Sequence, residues 1–338
     1  MTTRTVADCG ERALIARIRE RLVVPPWVVI GPGDDAAVIE PARGTLEVWT
    51  TDAIVDGIHV DRRFVPPAAI GHRALAVNLS DLAAMGARPR AALLSLALPG
   101  SLELDAFDGI LDGLLALAGR HDMALVGGNI TSTPGPLSLH VTAVGTVHRR
   151  RVLTRAGARP GDDLFVTGTL GDAAAGLDAL RRNPAAPVRG RVARYLRPEP
   201  RVRAGLLLGA GRVAASCVDL SDGLADGIRQ IAEASSVGIV LDAAAVPMTP
   251  ELREAGSAAG TGGLELALRG GDDYELLFTV RRAHGRRLRA VLRQLGDLPI
   301  TRIGAVTRAR DLLVQDGPDV RPLPGGYEHF RWPPPMRR

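Results

Sequence analysis

The chain has 338 residues, of which 46% are hydrophobic and 23% are charged, and its formal net charge is +5. This length favours two domains of roughly 150 residues each, and the composition excludes a largely disordered protein. The chain has no apolar run near the ~18 residues that a membrane span needs, and its first residues are polar, without an apolar signal core. We therefore expect a cytoplasmic protein that is not associated with a membrane.

Strand-like and helix-like segments alternate along the chain, which is typical of mixed α/β or α+β domains. In the first half, Leu14, Ile18 and Leu22 recur at four-residue spacing and predict an amphipathic helix. The predicted elements are a helix at 11–22, a strand at 46–51 that delivers Asp52, a helix from 66 to about 85, a helix at 104–120, a strand at 124–126 and a β segment at 137–147. These segments make residues 1–148 the first predicted domain.

The arginine run Arg149–Arg151 indicates the crossing into a second, α+β domain over residues 149–330. Its predicted elements are a strand at 163–167, a turn at 168–171 that opens a helix, a surface loop at 184–187, a strand at 213–219, a helix from 222 to about 234, a loop at 255–263, and strands at 276–280 and 300–306. The proline-rich tail at 331–338 is expected to be disordered.

The chain contains no lysine, so all 42 of its basic residues are arginines. This absence excludes a Walker-type lysine, a lysine of the protein-kinase type and Schiff-base chemistry. If the protein handles phosphate groups, arginine, backbone amides and metal ions must bind them. Its two cysteines, Cys9 and Cys217, are far apart and give neither a disulfide framework nor zinc spacing.

The positive charge is concentrated late in the chain. Residues up to 148 contain 12 arginines and 16 acids, whereas the remainder contains 30 arginines and 21 acids. We interpret the late arginines as a solvated helix face. Aromatic residues make up only 3% of the chain and leave little for base stacking, so nucleic-acid binding is the least favoured interpretation.

Aspartates recur at predicted strand ends and in glycine-containing turns. Any one of them is typical of a helix cap or a turn. Asp81 is different, because it lies inside an apolar helix three residues after Asn78, where an unpaired carboxylate is costly to bury. Two carboxylates about 5 Å apart repel by roughly 3 kcal/mol at an effective dielectric of 20, so a cluster needs counter-charge. Magnesium suits such an all-oxygen set.

Seven ordered sequence blocks resemble thiamine-monophosphate kinase, and they run over nearly the whole chain. They are Gly-Pro-Gly-Asp-Asp-Ala-Ala at 31–37, Thr-Thr-Asp at 50–52 with His59 after it, Ala-Val-Asn-Leu-Ser-Asp-Leu-Ala-Ala-Met-Gly-Ala at 76–87, Leu-Thr-Arg-Ala-Gly-Ala-Arg-Pro-Gly-Asp at 153–162, Val-Asp-Leu-Ser-Asp-Gly-Leu at 218–224, Gly-Gly-Asp-Asp-Tyr-Glu-Leu at 270–276 and Gly-Tyr-Glu-His-Phe at 326–330.

The resemblance implies a two-domain fold of the aminoimidazole ribonucleotide synthetase type, α/β plus α+β. In that fold the N-terminal domain binds ATP and metal and forms a homodimer. It also implies the reaction, in which ATP phosphorylates thiamine monophosphate to thiamine diphosphate with the help of several magnesium ions. Because the acceptor is already an anionic phosphate, direct in-line transfer needs no strong general base.

The resemblance also carries over site residues by position. Asp35, Asp81 and Asp219 match the catalytic positions. The implied magnesium ligands are Asp35, Thr50, Thr51, Asp52, Asp81, Asn129, Asp219 and Asp222. The implied nucleotide contacts are Gly128, Asn129, Arg155 and Ser221, and the implied thiamine monophosphate contacts are His59, Asp272 and Tyr327.

Two positions depart from the family pattern. Asn129 stands where the family usually has aspartate, which removes one negative charge from a metal position. Asp272 stands where glutamate is common, which shortens a substrate contact by one methylene. The open alternatives are another ATP-using relative, such as a selenophosphate synthetase or a hydrogenase-maturation protein, and a catalytically weakened nucleotide-binding protein.

Overall fold

The computed structural model describes residues 4–258 and 262–326. The chain divides into two compact units. The first combines the described residues of Met1–Leu82 with Ala87–Arg149, and the second combines Ala83–Gly86 with the described residues of Arg150–Arg338.

The first unit is built on a four-stranded sheet with the strand order β3-β6-β4-β5. Strand β6 pairs antiparallel with β3 and β4, whereas β4 and β5 run parallel. A short antiparallel pair, β1 and β2, lies outside this sheet. The elements are α1 (Val6–Cys9), α2 (Glu11–Arg19), β1 (Val28–Ile30), β2 (Val38–Ile39), β3 (Leu46–Val55), α3 (Pro67–Ala84), β4 (Arg88–Pro99), α4 (Leu104–Arg120), β5 (Ala124–Thr133) and β6 (Ser138–Val147).

Helices α3 and α4 supply much of the buried surface of this unit. In α4, residues such as Phe107, Leu111 and Leu114 recur at three- and four-residue spacing and are buried, as expected for an amphipathic helix. Helix α3 is buried more completely, because even Asn78 and Ser80 have no exposed surface. None of the helices in the described residues combines the length and apolar character that crossing a membrane requires.

The backbones of α3 and α4 approach each other closely at two glycines. A methyl group added at Gly71 would lie 1.8 Å from the carbonyl oxygen of Ile110, and one added at Gly113 would lie 1.9 Å from that of Ala68. Atoms cannot approach so closely, so both positions must stay glycine for the helices to keep this distance.

The second unit is built on a seven-stranded sheet with the order β13-β12-β9-β11-β7-β10-β8, which places β8 at one edge. Its elements are β7 (Asp163–Thr167), α5 (Asp172–Arg182), α6 (Gly190–Leu196), α7 (Val202–Ala210), β8 (Ala214–Asp219), α8 (Leu224–Ser235), β9 (Gly238–Asp242), α9 (Pro250–Ala258), α10 (Gly263–Arg269), β10 (Leu276–Val280), α11 (Gly285–Leu295), β11 (Ile300–Thr307), β12 (Leu312–Asp316) and β13 (Asp319–Pro322).

Apolar residues from the sheet and from α8 form the core of this unit. Leu164 of β7, Ile239 of β9 and Ile231 of α8 have no exposed surface and belong to one cluster. Strand β10 pairs antiparallel with β7 and with the edge strand β8. These pairings fix the ends of β8 and β10, where four of the predicted site residues lie.

Most predicted elements are present, and α4, β7 and β10 have the predicted bounds. The strand predicted at 124–126 continues to Thr133, because its pairing with β4 extends to that residue. Strand β3 likewise continues beyond Asp52 to Val55 along β6. The loop predicted at 255–263 is wrong in part, since α9 extends to Ala258 and α10 begins at Gly263. The predicted disordered tail lies outside the described residues.

The close approach of α3 and α4 gives a stability prediction. Gly113→Ala should lower the free energy of unfolding by about 2 kcal/mol, because the new methyl group forces two backbones apart. Gly119→Ala on the same helix is the control, since its methyl group meets no atom of the described residues within 4 Å. That control should be neutral or stabilising by up to about 1 kcal/mol. Urea unfolding curves measure both, and equal stabilities for the two variants would contradict the helix contact.

Candidate functional site

In the first unit, Thr50 and Asp81 form a hydrogen-bonded pair between β3 and α3. The Thr50 hydroxyl donates to Oδ2 of the half-buried Asp81 carboxylate. The neighbours of Asp81 on α3, Leu79 and Leu82, have no exposed surface, so the Asp81 carboxylate lies at the edge of an apolar core. A carboxylate in such a helix requires a hydrogen-bond partner, and the Thr50 hydroxyl on the adjacent strand provides one for Asp81.

The sequence Thr50-Thr51-Asp52 lies within β3, where successive side chains point to opposite faces of the sheet. Thr50 and Asp52 consequently share one face, and Thr51 lies on the other. The Thr51 hydroxyl is 3.2 Å from the carbonyl oxygen of Val141 and 3.1 Å from the hydroxyl of Thr142, both on β6. A contact of Thr51 with anything bound beside Thr50 and Asp52 would have to use its backbone oxygen.

Asn78 lies one turn before Asp81 on α3 and is fully buried. Its Nδ2 donates to the carbonyl oxygen of Ala74 over 3.0 Å. Its amide oxygen Oδ1 is buried and accepts no hydrogen bond from the described residues. Buried acceptors are normally satisfied, so this oxygen is open to a donor or a cation.

Asp35 and His59 lie in turns of the first unit. Asp35 is exposed, and its backbone N–H donates to Oδ1 of Asp34 over 2.8 Å. The backbone N–H of Val55 donates to Nδ1 of His59 over 3.1 Å. Because Nδ1 accepts this bond, the neutral imidazole carries its proton on Nε2. Nε2 is thus the nitrogen with which neutral His59 can donate to a phosphate oxygen.

Gly128 and Asn129 lie on the edge strand β5, after an irregularity in its pairing with β4. A methyl group added at Gly128 would lie 1.9 Å from the carbonyl oxygen of Leu94. Glycine is therefore required for β5 to lie against β4 at this point. Both Gly128 and Asn129 are exposed, so the strand presents its backbone and the Asn129 amide to solvent.

In the second unit, two acidic turns pack against each other where β8 ends and β10 begins. Asp219 is the last residue of β8 and pairs with Leu276. The backbone N–H of Asp272 donates to the carbonyl oxygen of Ser221 over 2.8 Å. The Ser221 hydroxyl donates to Oδ2 of Asp222 over 3.0 Å. Strand pairing and turn contacts thus bring four predicted site residues into one group.

The Asp272 carboxylate is held by Tyr274, which belongs to the same sequence block at 270–276 and was not among the predicted site residues. The Tyr274 hydroxyl donates to Oδ1 of Asp272 over 3.0 Å. Both residues have positive φ angles, 70° for Asp272 and 50° for Tyr274, which non-glycine residues rarely adopt. Such strain persists only where the surroundings enforce it and is common at binding sites.

Arg155 is exposed and follows Thr154, whose carbonyl oxygen accepts a hydrogen bond from the backbone N–H of Cys217 over 2.8 Å. This contact holds the segment that contains Arg155 against the outer edge of β8. The contact is made by Cys217, two residues before Asp219. The remaining predicted substrate contact, Tyr327, lies outside the described residues.

The predicted site residues are therefore divided between the two units. Asp35, Thr50, Thr51, Asp52, His59, Asp81, Gly128 and Asn129 belong to the first unit, and Arg155, Asp219, Ser221, Asp222 and Asp272 belong to the second. Among the described residues, no three His, Cys, Asp or Glu side chains form a cluster ready to hold a metal ion.

Known proteins match the chain over almost its whole length. The family models for the N-terminal and the C-terminal domain of AIR synthase related protein match residues 33–147 and 159–317. Thiamine-monophosphate kinase of Escherichia coli (strain K12) is 41% identical over 338 residues, 96% of this chain and 99% of that protein. The enzyme of Bacillus subtilis (strain 168) is 36% identical over 94% of this chain and 98% of its own.

The chain belongs to the thiamine-monophosphate kinase family. The predicted two-domain fold is confirmed by solved structures. Thiamine-monophosphate kinase from Stenotrophomonas maltophilia superposes with a TM-score of 0.80 at 42% identity, covering 90% of this chain and 96% of that one. AaThiL complexed with AMPPCP and TMP gives 0.72 at 30% identity, covering 95% and 98%. E. coli HypE, a hydrogenase maturation protein, gives 0.75 at 20% identity over 93% and 98%, and it shares the fold alone.

In this family member, a buried ionic cluster lies directly behind the Asp272 turn. Glu275 has no exposed surface. Arg201 contacts both of its carboxylate oxygens, with Nε donating to Oε2 over 2.6 Å. Arg194 donates to Oε1 over 2.6 Å and the Thr167 hydroxyl donates to Oε2 over 2.6 Å. Burial alone would raise the pKa of Glu275, but the two guanidinium groups outweigh it and hold the pKa below its usual value.

Asp273 is the second buried acid of the block at 270–276, and its environment raises its pKa instead of lowering it. Burial raises the pKa of Asp273 from 3.8 to about 8, opposed by a hydrogen bond from the backbone N–H of Gly171 and by Arg194 and reinforced by Glu275. The Gly171 N–H donates to Oδ2 over 2.7 Å, whereas Oδ1 has no partner among the described residues. At neutral pH the folded protein therefore keeps this carboxyl protonated.

The raised pKa of Asp273 gives a pH-dependent stability prediction. A folded-state pKa above the unfolded value stabilises the protein fully below pH ~3.8, and this stabilisation is lost as pH rises through about 8. Asp273→Asn removes the titration, so its stability relative to wild type should rise from pH 6 to pH 9 by on the order of 1 kcal/mol per pH unit up to the pKa.

Urea unfolding at several pH values tests this, with Asp178→Asn on α5, where the side chain is 47% exposed, as the control. The control should follow the wild-type pH profile. A constant difference between wild type and Asp273→Asn across this range would contradict a protonated Asp273.

Proposed function

We propose that this protein transfers the γ-phosphoryl group of ATP to thiamine monophosphate and forms ADP and thiamine diphosphate. The observation that carries the proposal is the similarity to curated thiamine-monophosphate kinases over nearly the full length of both chains. The structure of AaThiL with AMPPCP and TMP supports the same pair of substrates.

The acceptor in this reaction is a phosphate oxygen that already carries negative charge. It needs no strong general base, and the main barrier is the repulsion between two anionic substrates. Catalysis then consists of holding the acceptor oxygen in line with the γ-phosphorus and neutralising charge as it develops. The carboxylates of Asp35, Asp52 and Asp81, together with oxygen atoms of nearby hydroxyl and amide groups, are consistent with binding cations for that purpose.

Mg²⁺ is the cation that suits these oxygen ligands. The candidate ligands in the first unit are the carboxylates of Asp35, Asp52 and Asp81, the hydroxyl of Thr50, the backbone oxygen of Thr51 and the amide of Asn129. Asp219 and Asp222 are the candidates in the second unit. All of them offer oxygen, the donor that Mg²⁺ prefers, and the open Oδ1 of Asn78 lies one helical turn from Asp81. Bound Mg²⁺ neutralises phosphate charge and orients phosphate oxygens.

The remaining residues are assigned to substrate binding. The exposed backbone of Gly128 can approach a phosphate, and Arg155 can form a forked contact with phosphate oxygens. Ser221 supplies a hydroxyl for the nucleotide. Nε2 of His59 and the carboxylate that Tyr274 orients on Asp272 are assigned to thiamine monophosphate, together with Tyr327. We further propose that the protein is a cytoplasmic homodimer.

The direct test is an ADP-release assay with ATP, Mg²⁺ and thiamine monophosphate, using free thiamine as the control acceptor. ADP and thiamine diphosphate should form in equal amounts with the monophosphate, and neither should form with thiamine. Nucleotide binding without ADP production over a broad range of Mg²⁺ and Mn²⁺ would favour a binding protein and contradict the proposal.

The Thr50–Asp81 pair gives the first activity prediction. Asp81→Asn keeps the size of the side chain but removes its charge, so kcat should fall by at least about 100-fold. Asp105→Asn, which removes an exposed acid from the first turn of α4, is the matched control and should retain wild-type kcat. Melting temperatures establish that both variants are folded, and near-normal turnover of Asp81→Asn would exclude Asp81 from the metal site.

The second activity prediction concerns the amide on β5. Asn129→Asp restores a negative charge at an exposed position, so the Mg²⁺ concentration that gives half-maximal rate should fall by about tenfold. Asn183→Asp at the C-terminal end of α5 is the control for an added charge outside the site. An unchanged Mg²⁺ requirement for Asn129→Asp would show that this position does not bind the metal.

A further inference from the structure

A cavity of about 300 Å³ on the second unit is lined by basic side chains and no acid. We call it the basic cavity. Its basic residues are Arg150, Arg151, Arg212, Arg281, His284 and Arg287. Arg150 and Arg151 come from the arginine run Arg149–Arg151, and Arg281, His284 and Arg287 lie late in the chain, where positive charge is concentrated. None of these residues has a role in the proposed kinase reaction.

The charges of the basic cavity are not neutralised by the protein. Among the described residues, none of its five arginines has a carboxylate within salt-bridge distance. The Nε atom of Arg281 is buried and lacks a hydrogen-bond partner in the same part of the chain. Like charges brought this close repel each other, and buried donors are normally satisfied. The cavity therefore has the charge and the free donors to bind an anion.

The start of helix α11 strengthens this inference. His284 is the N-cap residue of this 11-residue helix, and no side chain caps it. The first turn contains Arg286 and Arg287 and no acid. Basic residues are unfavourable at the positive end of a helix dipole, whereas an anion there is favourable. A 3-10 turn, Arg282–His284, runs directly into the helix, and the Gly285 N–H donates to the carbonyl oxygen of Arg282. The side chains of His284 and Arg287 that line the cavity are therefore the donors available to an anion.

Two contacts to backbone carbonyls hold these side chains in place. Nδ1 of His284 lies 3.4 Å from the carbonyl oxygen of Val213, and Arg287 donates one guanidinium N–H to the carbonyl oxygen of Arg212 over 3.4 Å. A carbonyl can only accept, so Nδ1 carries a proton and Nε2 is the nitrogen left for a ligand. The cavity is thus partly ordered before any ligand binds.

The basic cavity is separate from the Asp219 group of the same unit. Ala214 and Ala215 line the cavity and begin β8, whereas Asp219 ends this strand. At roughly 3.3 Å per residue, the two ends of the strand are on the order of 16 Å apart. A ligand in the cavity would therefore lie at the opposite end of β8 from Asp219.

We propose that the basic cavity binds an anion with a chain of two or more phosphate groups. Guanidinium groups bind phosphate oxygens through paired N–H donors, and several of them together match a multiply charged ligand better than a single chloride or carboxylate. The volume is at the small end of the range for ligand sites, which suits a compact phosphate chain. The lining offers no Phe, Tyr or Trp ring to stack on a base, so the phosphates are what it recognises.

Titration calorimetry with inorganic triphosphate, in buffer without magnesium, tests this on the full-length protein. The variant is the double substitution Arg281→Gln with Arg287→Gln. The matched control is Arg308→Gln with Arg310→Gln, which removes the same charge from exposed residues outside the cavity. Wild type and control should bind equally, and the cavity variant should bind about 100-fold more weakly, roughly tenfold for each guanidinium group removed.

Melting temperatures show whether the cavity variant is folded. The substitutions relieve like-charge repulsion, so the melting temperature of the cavity variant without ligand should equal or exceed that of wild type. Added triphosphate should raise the melting temperature of wild type but not that of the variant. If the cavity variant does not fold, the single variant Arg287→Gln replaces it, with about tenfold weaker binding expected.

A parallel titration with ATP identifies the source of the phosphate chain. The relevant component of the isotherm is the one that the cavity variant lacks. Equal affinity of this component for ATP and triphosphate supports recognition of the phosphate chain alone, and tighter binding of ATP supports a nucleotide as the natural ligand. Absence of triphosphate binding by wild type, equal binding by the cavity variant, or equal weakening in the control would each overturn the proposal.

Discussion

The second unit depends on a carboxylate with no exposed surface, that of Glu275, and on the two arginines that bind it. Removing either partner of such a buried pair leaves an uncompensated charge, which typically costs 3–5 kcal/mol. The backbone of Glu275 also accepts a hydrogen bond from Leu220, so the cluster ties the start of β10 to the end of β8. This anchor lies beside the acidic turns that contain Asp219, Ser221, Asp222 and Asp272.

The two units accommodate their acidic side chains in different ways. In the first unit a hydroxyl satisfies Asp81, while Asp52 and Asp35 stay exposed. In the second unit arginines neutralise Glu275, and protonation neutralises Asp273. Burial raises the pKa of the Cys217 thiol, with Asp219 adding to the effect, so this residue stays protonated and is a poor nucleophile. Cys217 is therefore not a candidate for carrying a phosphoryl group in a covalent intermediate.

Local patterns predicted the elements that are long or strongly periodic, such as α4, and the need of Asp81 for a partner. They could not predict the Glu275 cluster, because its arginines lie 74 and 81 residues earlier in the chain and no spacing rule connects them. The extent of β5 was missed because its glycines resemble a strand end, whereas pairing with β4 carries the strand past them. The opposite facing of Thr50 and Thr51 could be predicted from strand alternation, because the predicted strand at 46–51 already includes both residues.

The stereochemical course of transfer tests most directly whether the phosphoryl group passes straight from ATP to the acceptor. ATP whose γ-phosphorus is made chiral with oxygen isotopes is incubated with the protein, Mg²⁺ and thiamine monophosphate. The configuration of the terminal phosphorus in thiamine diphosphate is then determined by phosphorus NMR. A single in-line displacement predicts inversion at phosphorus. Retention would reveal two displacements through a phosphorylated side chain and would contradict this account.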